Sequence, residues 1–157
     1  MLSEFDDQDK KILRTLQSEG RLSNIELAER TGMSTSPCWR RVKRFENEGV
    51  IQGYSANLDR RKLGLGVLVF VSVQIDTHSE EEASIFEQEI VALEEVISCH
   101  SVGGGADFML QVACKDLDAY AEFSMTVLRR LTGIKAMTSS IALKEIKANS
   151  GWPLLSG

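Results

Sequence analysis

The chain of 157 residues is 43% hydrophobic and 26% charged, a composition typical of ordinary globular proteins that excludes disordered, collagen-like and membrane-spanning classes. Its longest apolar stretch, residues 63–75, is about 13 residues long and too short to cross a bilayer as a helix. The acidic N-terminus lacks the basic residues and apolar run of a signal peptide, so we expect a cytoplasmic protein.

The net charge of -5 is unevenly distributed along the chain. Residues 1–62 carry 12 Lys and Arg against 10 Asp and Glu, whereas the remainder carries 6 against 13. Residues 34–44 contain four basic and no acidic side chains. This asymmetry predicts a basic face on a first lobe and an acidic second lobe, although a basic cluster alone is also typical of a solvated helix face.

The three cysteines indicate neither disulfides nor a metal site. Cys38, Cys99 and Cys114 are odd in number, widely spaced and include no CxxC pair. We expect all three to be reduced and structural.

The first thirty residues predict two short helices. Asp6 or Asp7 is placed to cap a first helix that ends at Gly20, with Ile12, Leu13 and Leu16 on its buried face and Phe5 packing back as a staple. A capping box then opens a second helix: Ser23 and Glu26 stand at the required spacing. This helix runs to about residue 30 and ends in a turn at Gly32.

A third helix follows the turn and completes a helix-turn-helix pattern. Ser34 or Ser36 is placed to cap it, Pro37 fits its first turn, and it continues to Glu48 with Val42 and Phe45 inward and the basic residues outward.

The start of this third helix is the candidate DNA-binding surface. Hydroxyl groups and free amides at a helix N-terminus donate to phosphates, and guanidinium groups grip phosphates or guanine edges. Trp39 fits either core packing or a contact with DNA. The candidate DNA-binding residues are Ser34, Thr35, Ser36, Pro37, Trp39, Arg40, Arg41, Lys43 and Arg44.

The segment after the third helix predicts an exit from the first lobe. Val50, Ile51 and residues 54–58 alternate like a short strand. Residues 59–64 form a hinge whose basic triplet, residues 60–62, is placed to touch the DNA backbone.

The second lobe alternates strands and helices in the order βαββαβ. Strands are expected over residues 66–76, 96–102, 107–114 and 137–146. One helix begins at a capping box of Ser79 and Glu82, and the other begins at Asp116. The inward helix residues are expected to be Ala83, Phe86, Ile90 and Leu93 in the first, and Tyr120, Phe123, Val127 and Leu131 in the second.

This order predicts an α+β protein with a ferredoxin-like second lobe, in which two helices cover one face of an antiparallel sheet. The other face would be bare, and apolar residues on both sides of the strands favour a homodimer that stacks sheet on sheet.

The turn at residues 103–106 is a candidate ligand site. It lacks the following helix and the Lys-Ser/Thr pair of a nucleotide-binding loop. One interpretation of Asp107 is that it satisfies loop amides. The other is that it binds the ammonium group of a small ligand while the glycine amides bind the carboxylate of that ligand. Hydroxyls at residues 138–140 either belong to a hydrogen-bonded strand edge or complete that site from a neighbouring subunit.

Catalysis is not indicated, since His78 and His100 are isolated, no cysteine has a neighbouring base, and no acid pair has metal-ligand spacing. We therefore expect a protein that is not an enzyme and has no cofactor or metal.

The chain resembles the leucine-responsive regulatory protein/AsnC family, the feast/famine regulators of bacteria and archaea, from Phe5 to about Lys147. Residues 34–46 and 49–56 carry the most specific similarity, to the family's recognition helix and hinge. The glycine-x-x-aspartate at residues 104–107 is similar to that of the family's amino-acid-sensing lobe.

The resemblance implies a winged-type helix-turn-helix lobe joined to a βαββαβ regulatory lobe, dimers that associate further, commonly into octamers, and transcriptional control by an amino acid bound between subunits. It also implies a candidate effector site at Val102, Gly103, Gly104, Asp107, Ser139 and Ser140. Small residues at 103, 105 and 106 leave the turn roomy, and the lack of added polar groups favours leucine or methionine over asparagine.

We therefore expect a DNA-binding domain at residues 1–53, a linker at 54–65, a sensing and oligomerisation domain at 66–148 and a tail at 149–157. The expected function is sequence-specific, effector-responsive transcriptional regulation on double-stranded DNA. The alternative is an effector-independent architectural DNA-binding protein of the same fold.

Overall fold

The computed structural model describes residues 5–76, 80–148 and 151–154. The chain divides into two compact units. The helical unit comprises Met1–Asn57 and Lys147–Gly157, and the sheet unit comprises Leu58–Ile146. No helix in the described residues has the length and apolarity that a membrane crossing requires.

Three helices form the helical unit: α1 (Asp7–Ser18), α2 (Asn24–Thr31) and α3 (Thr35–Asn47). Asp6 caps α1 in a capping box with Asp9, and Ser23 and Glu26 form the predicted box at α2. Gly32 ends α2 with a φ of 70°, the left-handed conformation that glycine adopts without strain. The first helix stops at Ser18, before the predicted Gly20.

The core of the helical unit lies where its three helices meet. Phe45 of α3 is fully buried, and the ring of Phe5 packs edge-on against it at 5.9 Å. Val42 and Phe45 point inward as predicted. The buried members of this core are Ile12, Leu13, Leu27, Ala28, Cys38, Val42 and Phe45.

The end of the chain packs on α1. Leu154 joins the apolar core, and its carbonyl accepts a hydrogen bond from Arg14 at 3.0 Å. The side chain of Gln17 accepts from the backbone N–H of Trp152 at 2.5 Å and donates to its carbonyl at 3.1 Å. The tail, to which the sequence assigned no role, is thus part of the helical unit.

The strand predicted at residues 54–58 is not formed within the described chain. These residues have no regular structure, because no neighbouring strand of the described chain supplies their hydrogen bonds. Residues 60–64 form the turn expected of the hinge, in which Asp59 accepts from the N–H of Arg61 at 2.9 Å and Arg60 donates to the carbonyl of Leu65 at 2.8 Å.

The sheet unit has the predicted βαββαβ order. Its elements are β1 (Val67–Ile75), α4 (Glu80–Val91), β2 (Val96–Ser101), β3 (Phe108–Cys114), α5 (Leu117–Thr126), the short 3-10 helix Leu128–Arg130, and β4 (Ile134–Ile141). The strands lie in the order β2-β3-β1-β4, and every neighbouring pair is antiparallel. The fold is therefore α+β with a ferredoxin-like sheet.

One face of the sheet packs against both helices. The alternation in β1 buries Val69, Val71 and Val73 beneath Phe86 and Phe123. Ile90 and Tyr120 are also buried as expected, whereas Val127, Leu131 and Leu93 are only partly buried at the margin of this core. The predicted capping box at Ser79 and the inward position of Ala83 lie outside the described residues.

Two predicted boundaries in the sheet unit are wrong. The second helix was expected to reach Leu131, but α5 ends at Thr126 and the chain tightens into the 3-10 helix, which buries Leu128 completely. The last strand was expected over residues 137–146, but β4 begins at Ile134. It ends at Ile141, which pairs with Val69. Since β1 begins at Val67, the last predicted residues, 144–146, have no partner on that strand.

The second face of the sheet is not covered by any described element of this unit. Its surface is mixed, with Leu68, Phe70 and Met109 among polar side chains, so apolar residues do lie on both sides of β1 as expected. Phe70, at the middle of β1, is 38% exposed.

Candidate DNA-binding and effector sites

The start of α3 presents free hydrogen-bonding groups. Ser34 is the N-cap residue, one of the two that were predicted, but its hydroxyl makes no capping hydrogen bond. Ser34, Thr35 and Ser36 are all exposed, and Pro37 lies in the first turn. The amides of a first helical turn have no partner within the helix, so this end of α3 can donate hydrogen bonds to an anion.

Trp39 and Arg40 project from the next turn of α3. Trp39 is 45% exposed and lies outside the apolar core, which removes core packing as its role. Arg40 is exposed and pairs with no carboxylate among the described residues. A shallow depression lies beside them, lined by Asp6, Pro37, Arg40, Arg41 and Arg44.

The other basic side chains of α3 are engaged with acidic groups. Arg41 contacts Asp6 at 2.7 Å and Asp9 at 2.5 Å, and Arg44 contacts Asp9 at 2.7 Å. Lys43 pairs with Glu46 at 2.6 Å on the same helix. The expectation that all four basic residues point outward is therefore wrong for Arg41 and Arg44, which are half-buried.

The glycine turn of the sheet unit joins β2 to β3. The N–H of Val102 donates to the carbonyl of Asp107 at 2.9 Å, and the N–H of Asp107 donates to the carbonyl of Val73 at 2.9 Å. Gly103, Gly104 and Gly105 are exposed, and Gly104 has a φ of 138°, a conformation that side chains rarely allow. The turn thus offers accessible backbone groups in a fixed frame.

Asp107 is exposed, and its Oδ2 accepts a hydrogen bond from the N–H of Ile75 at 2.9 Å. The structural role predicted for Asp107 was to satisfy loop amides, whereas the amide that it satisfies belongs to Ile75 at the end of β1. This contact also orients the carboxylate at the mouth of the turn. Gln74, which the sequence reasoning missed, lies beside it and donates to the carbonyl of Gly105 at 2.6 Å. Its polar side chain in an otherwise valine-rich segment was the signal that the sequence offered.

Ser139 and Ser140 lie on opposite faces of β4. The hydroxyl of Ser139 is hydrogen-bonded to that of Tyr120 on the helix-covered face, whereas Ser140 pairs with Phe70 on the uncovered face. Phe70 lies three residues along β1 from Val73, which meets the glycine turn, so Ser140 is about 10 Å away along the strand and on the far side of β1. A single chain therefore does not bring these serines to the turn.

Metal chemistry has no support in the described part of the chain, where no three His, Cys, Asp or Glu side chains cluster. All three cysteines are free thiols. Burial, aided by neighbouring carboxylates, raises the pKa of the Cys99 and Cys114 thiols, which keeps them protonated and poorly nucleophilic.

Comparison with known protein families matches each unit separately. Residues 5–52 match a winged helix-turn-helix DNA-binding domain, and residues 68–152 match the Lrp/AsnC ligand binding domain. The first match covers all three helices with the α3 site, and the second covers the sheet with the glycine turn.

Individual relatives align over almost the whole chain. The Bkd operon transcriptional regulator of Pseudomonas aeruginosa is 42% identical over 98% of this chain and 100% of its own. The leucine-responsive regulatory protein of Escherichia coli is 35% identical over 94% and 90%. A Neisseria meningitidis transcriptional regulator, solved as an L-methionine complex, superimposes with a TM-score of 0.92, 36% identity and coverage of 96% and 97%. The chain therefore belongs to the Lrp/AsnC family: it is a DNA-binding transcriptional regulator with an amino-acid-binding domain.

Proposed function

We propose that this regulator binds double-stranded DNA sequence-specifically through the start of α3, and that an amino acid bound at the glycine turn changes its DNA affinity or assembly. The observation that carries the DNA-binding part is the exposed first turn of α3, where uncapped hydroxyls and amides stand beside Arg40. Amides and hydroxyls fix a protein on phosphates, and a guanidinium reads guanine. Residues 1–53 are assigned this role, with residues 54–65 as the linker.

The proposed DNA-binding residues divide by their availability. Arg40, Trp39 and the hydroxyls of residues 34–36 are free to contact DNA. Lys43 can exchange its exposed contact with Glu46 for a phosphate, because such surface pairs contribute less than about 1 kcal/mol. Arg41 and Arg44 belong to the proposed set as well, but they contribute less than Arg40 because Asp9 holds both of them.

We assign the effector to residues 66–148. The carboxylate of an amino acid would accept from the accessible amides of Gly103 and Gly104, and its ammonium would face Asp107. Val102 fixes the turn through its bond to Asp107, and Ser140 of a second copy would close the site. Ser139 would take part only if its hydroxyl left Tyr120. Leucine or methionine is favoured by the roomy apolar turn, and relatives are named for leucine response or were solved with L-methionine.

A homodimer, associating further into a larger assembly such as an octamer, is part of this proposal. Two observations support it: the uncovered sheet face centred on Phe70, and the extended segment 54–58, whose backbone groups lack a strand partner within the described chain. A second copy would cover the sheet face by stacking on it, since isologous contacts bring the same surface of each subunit together, and a strand of that copy can pair with segment 54–58.

Selection of duplexes from a random pool, followed by binding measurements with the enriched and a scrambled duplex, tests DNA specificity. Tighter binding of the enriched duplex is expected; equal affinity for both would favour the architectural alternative.

A thermal-shift screen against the twenty amino acids tests sensing, because a ligand at about 100 times its Kd adds roughly 2.7 kcal/mol to native stability. We expect stabilisation by leucine or methionine, and its loss in Asp107→Ala with DNA binding retained. Stabilisation by none of the twenty would refute the effector assignment.

A further inference from the structure

We propose that Asp9, assisted by Asp6, is a positioning residue that holds Arg41 and Arg44 away from DNA and thereby limits sequence-independent binding. The inference rests on the proposed function, in which α3 contacts DNA. It adds a role for the first helix: its acidic end sets how much positive charge the DNA-binding helix presents.

The geometry of Asp9 carries this inference. Its side chain is 3% exposed and receives both guanidinium groups, Arg41 on Oδ1 at 2.5 Å and Arg44 on Oδ2 at 2.7 Å. Asp6 receives Arg41 as well, at 2.7 Å. Each oxygen of Asp9 binds its own arginine. If either guanidinium left, the buried carboxylate would keep only part of the positive charge that stabilises it, which is unfavourable.

The two carboxylates are themselves fixed in place. The N–H of Asp9 donates to Asp6 Oδ1 at 2.7 Å, and the N–H of Asp6 donates to Asp9 Oδ2 at 3.3 Å. This capping box sets both acids at the positive end of α1, where negative charge is favourable. The arginines thus bind a preorganised acidic site and not a mobile surface side chain.

Protonation does not release the pair near neutral pH. The hydrogen bond from the Asp9 amide, and the one from Arg41, lower the pKa of Asp6. The same contact with Asp6, with a further contribution from Asp9, raises the pKa of Arg41. Asp6 and Arg41 therefore both stay ionised near neutral pH.

Arg44 is held by a further contact besides its ion pair. Its guanidinium lies 5.0 Å from the centre of the Phe45 ring, in cation-π geometry, and Phe45 is fully buried. Its Nε is buried without a hydrogen-bond partner among the described residues, although 38% of the side chain is exposed. A side chain held in this way is poorly placed to reach a phosphate.

The consequence is a much smaller free charge on α3 than its sequence suggests. Among the described residues, Arg40 is the basic side chain of this helix that has no acidic partner. Phosphate contacts supply most sequence-independent affinity, and each adds about 0.9 to the slope of log affinity against log salt concentration. Releasing Arg41 and Arg44 should therefore raise non-specific affinity and its salt dependence together.

Asp9→Asn in the full chain tests the proposal. The substitution removes the negative charge that holds the arginines, while the amide oxygen of asparagine can still accept the capping hydrogen bond. We expect several-fold tighter binding to a scrambled duplex at low salt. The salt slope should steepen by about 0.9 to 1.8 per protomer, for one or two new phosphate contacts. The ratio of affinities for the enriched and scrambled duplexes should fall.

Asp7→Asn is the matched control, because Asp7 lies in the same helical turn, is exposed and forms no ion pair with a described residue. An equal effect in both variants would reduce the result to net charge and overturn the inference. A purely structural role for Asp9 would also overturn it, because it predicts weaker or unchanged binding and no steeper slope.

Asp6→Asn keeps the test decisive if Asp9→Asn does not fold, since asparagine caps helices as well as aspartate. This variant removes the charge of one of the two acidic partners of Arg41 and leaves Asp9 in place, so the increase in slope should be smaller. Arg40→Ala tests the proposed DNA-binding surface separately from the masking by Asp9. If it weakens DNA binding while both aspartate variants leave the slope unchanged, the masking inference fails and the DNA-binding surface stands. If Arg40→Ala itself has no effect, the proposed surface fails.

Discussion

Arg40 is expected to contribute more to DNA binding than any other basic residue of α3. It is exposed and has no acidic partner in the described chain, whereas Arg41, Lys43 and Arg44 are paired. Arg40→Ala should lower the salt slope by about 0.9 per protomer if the guanidinium contacts a phosphate. If it grips a guanine instead, affinity should fall by about 1 to 3 kcal/mol, and the preference for that base pair should disappear.

Fluorescence anisotropy with the enriched and scrambled duplexes over a range of salt concentrations distinguishes these outcomes. A phosphate contact weakens binding to both duplexes alike, whereas a base contact weakens binding to the enriched duplex alone. Arg129→Ala is the control, because Arg129 is exposed, carries the same charge and lies in the sheet unit. Wild-type affinity and slope in Arg40→Ala would refute the assignment of the DNA-binding surface.

Arg41→Ala should give a different pattern in the same experiments. Asp9, whose side chain is 3% exposed, would keep its ion pair with Arg44 but lose the one with Arg41. Hydrogen bonds to charged groups contribute about 1.5 to 3 kcal/mol, so the free energy of unfolding should fall by about that amount. Its DNA affinity should change less than that of Arg40→Ala; the reverse ranking would contradict the division into free and masked cations.

Three further predictions concern assembly and stability. Phe70→Asp, on the uncovered sheet face, should reduce the molar mass measured by light scattering to that of a monomer; an unchanged mass would exclude this face as the interface. Leu154→Ala should lower the free energy of unfolding of the helical unit by about 1 kcal/mol, measured in urea by tryptophan fluorescence, because its partly buried side chain packs on that core; wild-type stability would contradict the docking of the tail. The helical unit should also be less stable at about pH 3 than at neutral pH. Folding lowers the pKa of Asp6, Glu26 and Glu46, whose ordinary pKa values are 3.8 to 4.5. These carboxyl groups stabilise the unit fully at a pH above the ordinary values, and the stabilisation is lost as the pH falls through the lowered values. A urea midpoint that does not change with pH would refute this role.

Local signals in the sequence predicted most of the fold. The capping box of Ser23 and Glu26 and the glycine turn after α2 depend on neighbours within a few residues, and both are confirmed. The alternation of valines in β1 likewise predicted which face is buried. The end of β4 was wrong because it depends on the length of β1, a strand that lies more than sixty residues earlier.

The electrostatics of α3 were beyond a local reading for the same reason. The sequence predicted Asp6 or Asp7 as the cap of the first helix, and Asp6 does cap it, in a capping box with Asp9. Their second role needs the tertiary fold, because Arg41 and Arg44 follow Asp9 by 32 and 35 positions. Adjacent residues of a strand always face opposite sides, but only the register shows that Ser139 lies on the helix-covered face and Ser140 on the uncovered one.

The masking of α3 links the proposed DNA binding to the proposed assembly. Two of the four basic residues in this helix are held by Asp6 and Asp9, so a single helical unit offers few phosphate contacts. Affinity that one unit lacks is recovered when several units bind the same duplex, because the second contact becomes intramolecular. If this reasoning holds, Phe70→Asp should weaken DNA binding more than Arg40→Ala does, although Phe70 lies in the sheet unit. A monomeric Phe70→Asp variant that kept wild-type DNA affinity would break that link and leave the two proposals independent.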